Sequence, residues 1–209
     1  MIMRISGYFI IIILCITQVS AHQLRYPASD DVTIITNPVV SQAFYAELKG
    51  MPQYYIINEI RPFDLYVQLL VINISDVNKQ FVVTITQDKN IVAVLDNTNA
   101  SWTLFHDSIT NDDYWNGPEI RFNATGNYTI TVTDSNLRGK YVLVVGEKES
   151  FPLSEIITST VILPSLKLFM GKSLLLAYWN LVGLFLLIVI LIIVAGIYFI
   201  LRKRHKKTD

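Results

Sequence analysis

The segment HDSITNDDYWNGPEIR, residues 106–121, gathers most of the side chains that could do chemistry. Asp107, Asp112, Asp113 and Glu119, with Asn111 and Asn116 between them, are the hard oxygen donors that calcium takes, and they are the candidate ligands of a calcium ion. Their spacing fits no EF-hand, and carboxylates that are simply solvated are the competing reading. Trp102, Tyr114 and Trp115 stand in or beside the same segment and suit an exposed aromatic platform for a sugar or a protein partner. The alternative is that the tryptophans cover one end of a hydrophobic core.

Catalytic patterns are missing. The chain has no Gly-rich phosphate loop, no His-Glu-x-x-His, no Gly-x-Ser-x-Gly and no pair of cysteines at zinc spacing. His22 and His106 are the histidines ahead of the C-terminal tail, and a triad around His106 would lack its nucleophile elbow. The reading is therefore non-enzymatic, with no catalytic residue and no cofactor. The sole cysteine, Cys15, falls in the N-terminal leader, which leaves the rest without disulfides or thiolate metal ligands. Four Asn-x-Ser/Thr sequons, at Asn73, Asn99, Asn123 and Asn127, are sites for N-glycosylation in a host that performs it.

The elements that must position these residues are set by an address. Residues 174–201, LLLAYWNLVGLFLLIVILIIVAGIYFIL, carry no charge and only Asn180 as a strongly polar group. At 1.5 Å per residue the run exceeds the roughly 30 Å of a bilayer core, and it predicts one transmembrane helix. Five Lys and Arg follow within 202–207, so the positive-inside rule puts the C-terminus in the cytoplasm and the N-terminal side outside, a single-pass type I arrangement. Residues 1–21 read as a signal peptide, with Arg4, an apolar run over 5–16 and Val19-Ser20-Ala21 before the cleavage point; an uncleaved anchor is the alternative. Residues 22–173 hold 16 Asp and Glu against 11 Lys and Arg, an acidic balance that argues against nucleic acid as partner. The basic tail, 202–209, also contains Lys206-Lys207 at dilysine retrieval spacing, a match that any stop-transfer tail produces easily.

Between leader and helix, residues 22–150 read as one mainly β domain. Strands are expected at 31–36, at 53–59, and from Phe63 onward, with Pro62 breaking the chain between the last two. Residues 39–48 fit either a strand or a few helical turns. Phe63, Leu65, Val67 and Leu69 alternate with polar residues, as do Phe81, Val83 and Ile85, and Tyr128, Ile130 and Val132. Residues 91–95 return as a hairpin partner, 141–145 form an apolar central strand, and 96–118 read as loop. Seven or eight short strands without long helices between them predict an antiparallel β-sandwich, jelly-roll or Ig-like.

PFDLYVQLL (62–70), TGNYTITV (125–132) and GKYVLVVGEKESF (139–151) resemble the strand pattern of prokaryotic pre-peptidase C-terminal-type domains, and the chain is also similar to uncharacterised membrane-anchored proteins. The resemblance implies a small sandwich that accompanies an enzyme without supplying catalytic residues. No protease domain is attached here.

Residues 151–173 then read as a juxtamembrane stalk, partly helical, with Ser154 the candidate N-cap, Glu155 in the first turn and a break near Pro164. The assembled expectation is a membrane-anchored extracytoplasmic sandwich that binds a protein partner or extracellular ligand; an accessory subunit of a membrane or secreted enzyme is the alternative. Its certain neighbour on this reading is the lipid bilayer.

Overall fold

The computed structural model describes residues 22–26, 32–75, 77–96, 100–150 and 152–205, the side chains of 181, 182, 200 and 203–205 excepted. The expected signal peptide, the Asn99 sequon and Lys206-Lys207 lie outside the described residues.

The described strands are β1 (Gln23–Arg25), β2 (Val32–Ile35), β3 (Gln42–Lys49), β4 (Gln53–Ile72), β5 (Val82–Gln87), β6 (Asn90–Leu95), β7 (Thr103–Asp107), β8 (Asp112–Thr133) and β9 (Arg138–Val145). They form one hydrogen-bonded network in the order β1-β3-β9-β4-β8-β5-β6, with β2 on β4 and β7 on β8. β1 and β2 pair in parallel with β3 and β4, so the expected all-antiparallel sheet is mixed at two edges.

Two long strands organise the network. β4, of 20 residues, and β8, of 22, run antiparallel along each other through both halves of the domain. The near half of β4 pairs with β2, its far half with β9, while β8 changes partner from β7 to β5 along its length. The network thereby folds over itself into two layers. Pro62 does not break the chain: the register shifts between Glu59 and Phe63, and a proline in such a bulge forfeits no ladder hydrogen bond. Gly117-Pro118 occupies the second shift, between the pairs Gln68–Glu119 and Leu70–Asn116.

The alternating residues meet in the core as their period requires. Phe63, Leu65, Val67 and Leu69 are buried together with Val83, Ile85, Tyr128, Ile130 and Val132. Phe44 and Tyr55 stack edge-on at 5.4 Å, and the Tyr55 and Tyr141 hydroxyls hydrogen-bond at 2.9 Å, tying strands of the two layers. The β5–β6 hairpin turns at Asp88 and Lys89, both at positive φ (48° and 68°), the primed geometry that matches strand twist. Within residues 39–48 the chain is strand from Gln42 on, as β3, which is covered on both faces, while 39–41 lead into it. The segment expected as loop, 96–118, instead holds β7 and the start of β8, joined by a tight turn in which Asn111 takes φ 55°.

Residues expected as a stalk form α1, Leu153–Phe169, laid on the outer face of the β3–β9–β4 layer. Leu163, Leu166 and Met170 bury against Leu24, Tyr45, Leu70, Val142 and Val144. β9 is therefore apolar on both faces because it has a sheet on one side and a helix on the other, as its unbroken sequence anticipates. Ser154 is not the N-cap; Pro152 holds that place without a side-chain hydrogen bond. Pro164 does not break the helix either. Its missing N–H leaves the Thr160 carbonyl without an intrahelical donor, and the Tyr178 hydroxyl donates to that carbonyl at 3.1 Å.

Beyond α1 the expected single helix over 174–201 comes in two pieces: a 3-10 turn, Leu174–Tyr178, and α2, Leu181–His205. Asn180 causes the division. Its Oδ1 accepts from the Gly183 N–H at 2.9 Å and caps α2, while its Nδ2 donates to the Ala177 carbonyl. Among the described residues no helix is long and apolar enough to cross a membrane.

Candidate functional site

The β7–β8 hairpin separates the residues the sequence groups together, because adjacent strand positions face opposite ways. Tyr114 points under α1, 1 % exposed, and its hydroxyl bonds those of Tyr45 (3.2 Å) and Thr110 (3.1 Å). Burial holds the Tyr45 and Tyr114 phenols well above their ordinary range. Tyr114 is thus a core residue and no platform.

The four candidate calcium ligands do not converge either. Asp112 is 2 % exposed and accepts from Lys167 Nζ at 2.6 Å and Lys172 Nζ at 2.5 Å; Lys167 also donates to the Thr110 carbonyl. Asp107 accepts from the Ile109 N–H, and burial raises its pKa. Asp113 faces His106 at 2.8 Å, and Glu119 accepts from the Tyr66 hydroxyl at 2.6 Å. Among the described residues no group of three or more His, Cys, Asp or Glu could hold a metal ion.

The Asp112 cluster is built by helix-end geometry. α1 closes in a Schellman motif: Gly171 at φ 72° donates to the Leu168 carbonyl, and the Lys172 N–H reaches the Lys167 carbonyl. That turn brings Lys172 beside Lys167, and both ammonium groups meet Asp112 at the root of β8. The cluster pins the helix to the sheet, and sequence reading missed it because its members are 55 and 60 residues apart.

Trp102 and Trp115 do come together, on the opposite face of β8 from Tyr114. The Trp102 ring lies over Gly117, where a Cβ would approach it to 2.5 Å. Lys79 Nζ sits 3.4 Å from the Trp115 ring centroid and 5.3 Å from that of Trp102, a cation between two π faces. The Trp115 indole N–H donates to Asn73 Oδ1 at 3.1 Å, and Leu104, paired with Trp115 across the ladder, is more than half exposed. Both indoles are partly buried and pack against the core. Lys79 and Gly117 were not singled out by sequence, since only the approach of strand and loop reveals them. Asn73, Asn123 and Asn127 are exposed.

A surface depression of about 260 Å³ beside β1 is lined by His22, Ser41, Tyr66, Gln68, Asn116 and Glu149 among others. It is smaller than the roughly 300–1,000 Å³ of usual ligand pockets. His22 Nδ1 lies 2.5 Å from Ser41 Oγ, a pairing that sequence distance concealed. Ser41 is 2 % exposed, and burial pulls the His22 pKa below its ordinary value.

No family model matches the sequence, and no curated protein matches it. Among solved structures the chain is weakly similar to the pre-peptidase C-terminal domain of a collagenase from Bacillus anthracis: 14 % identity, 57 % of this chain and 96 % of that one covered, TM-score 0.35.

Proposed function

We propose that this chain is a non-enzymatic binding module held at a membrane by residues 174–201, with its sandwich outside, its tail in the cytoplasm and its contacts made through the Trp102–Trp115 end. The observation that carries the anchoring is α2 itself. Leu184, Phe185, Leu187, Ile193, Ile197 and Phe199 are all exposed, and at 3.6 residues per turn they fall around its whole circumference. Leaving a large aliphatic side chain in water forgoes about 1.5–3 kcal/mol each, so the medium this helix prefers is apolar. The five basic residues of 202–207 stop it on the cytoplasmic side. The binding role is supported by Trp102, Trp115 and Leu104, an aromatic and apolar rim of the composition found at interface hot spots.

The test uses single cysteines in a Cys15→Ser background, Ile60→Cys in the outer sandwich and Thr208→Cys in the tail. In intact cells a membrane-impermeant maleimide should label the first alone, and the second only after permeabilisation, with the protein resisting carbonate extraction. Equal labelling of both, with release into the carbonate supernatant, would overturn the anchoring.

A further inference from the structure

α1 is built inside out for a helix on a protein surface. A surface helix normally turns its charges to water and its apolar face inward. The two charged residues of α1 both turn inward: Glu155 pairs with Arg25 at 2.8 Å, and Lys167 is buried on Asp112. Its outward face presents Leu153, Ile157, Val161 and Leu168, each 58–72 % exposed, with uncharged Ser and Thr between them. Beyond α1, Leu175 in the 3-10 turn and Trp179 just after it are 89 % and 76 % exposed.

What covers this strip follows from where α2 starts. Ala177 is fully buried in the same cluster as Leu163 and Leu166, and the Tyr178 hydroxyl is fixed to the Thr160 carbonyl in the middle of α1. Leu181, where α2 begins, is only three residues beyond Tyr178, so at about 3.5 Å per residue it starts within roughly 10 Å of the Tyr178 backbone. A helix entering a bilayer at that point puts α1 at the level of the headgroups. Tyr178 and Trp179 are the aromatic residues that favour this level.

We infer that α1 lies along the membrane surface with Leu153, Ile157, Val161 and Leu168 dipped into the lipid, so that the sandwich rests on the bilayer through its helical layer and its strands face away. This rests on the anchoring proposed above. The sandwich is then a fixture with a set orientation, and Lys167 and Glu155 act as inward ties that leave the lipid-facing side free of charge.

The experiment places nitroxides at Ile157→Cys and Val161→Cys in the full-length chain, reconstituted in vesicles of phosphatidylcholine and phosphatidylglycerol. Ile193→Cys in α2 and Ile60→Cys on the far bulge are the references, and near-ultraviolet circular dichroism checks each fold. Relaxation by oxygen against a water-soluble nickel chelate should place 157 and 161 about 5–10 Å below the phosphates. Position 193 should lie deeper and 60 in water. If 193 is deep and 157 and 161 are as open to the chelate as 60, the docking is wrong and the anchoring survives. Labels at 157 and 161 immobilised and shielded from both reagents would mean a protein covers the strip, which overturns the lipid assignment. A water-exposed 193 would remove the anchoring and this inference together.

Discussion

Asp112 is the residue on which α1 depends. With two ammonium groups on a carboxylate that is almost wholly buried, removing the charge strands Lys167 without a counterion. Asp112→Asn should destabilise the sandwich by about 3–5 kcal/mol, and the double change Asp112→Asn with Lys167→Met should recover most of it, read as urea midpoints in detergent. An unchanged midpoint in the single variant would show that the cluster is not holding the helix. Gly117 acts through close approach: a Cβ there meets Trp102 and, at 2.8 Å, the Leu69 carbonyl, which cannot swing away. Gly117→Ala should therefore cost about 1–3 kcal/mol and shift tryptophan fluorescence as Trp102 is displaced. His22 supplies a pH dependence. Burial lowers its folded pKa below 6.5, so as pH falls through 6.5 the unfolded chain takes up the proton first and stability declines. Asp107, raised by burial, acts the other way: its contribution is present at low pH and is lost as pH rises through its elevated value. Unfolding free energies at pH 7.5 and 5.5 should show the decline, and His22→Gln should flatten it. His22 and Asp112 are visible in the sequence as types, but their partners are 19 to 60 residues away, so their roles are not.

At the scale of elements, α1 shows how a helix keeps an internal proline. The Thr160 carbonyl freed by Pro164 is taken by Tyr178, which also holds the 3-10 turn in place. Tyr178→Phe should cost about 1 kcal/mol in the natural chain and distinctly less beside Pro164→Ala, where the helix supplies its own donor. Equal losses in both backgrounds would uncouple the two residues. Strand alternation is the element-level feature most legible beforehand, because burial on one face forces period two in the residues themselves: Phe63 to Leu69 and Tyr128 to Val132 fall where that period puts them. Pro62 misled for a local reason. A breaker signal in sequence does not distinguish the end of a strand from a bulge within a long one, and the partner strand decides which it is.

The whole molecule has three layers, two of strand and one of helix, and the third carries its apolar outer strip toward α2. If that strip stands in lipid, replacing Val161 by Asp should leave the Asp112 cluster and the urea midpoint nearly unchanged while lifting the nitroxide at Ile157→Cys toward the aqueous phase. A large loss of stability with no change in depth would make the strip part of the protein's own interior.

What the sequence by itself determined is whatever depends on neighbours along the chain: the alternating strands, the hairpin return at 91–95, the doubly buried β9, the mainly β class, and the apolar run with its basic stop. The fate of 153–170 as a packed layer, the continuity of β4 and β8 through their bulges, the burial of Tyr114 and the convergence of Lys167 and Lys172 on Asp112 were decided by the tertiary structure alone. The reason is physical: period and propensity act over a few residues, whereas the desolvation that makes one carboxylate a tie and another a solvated surface group depends on which distant segment closes over it.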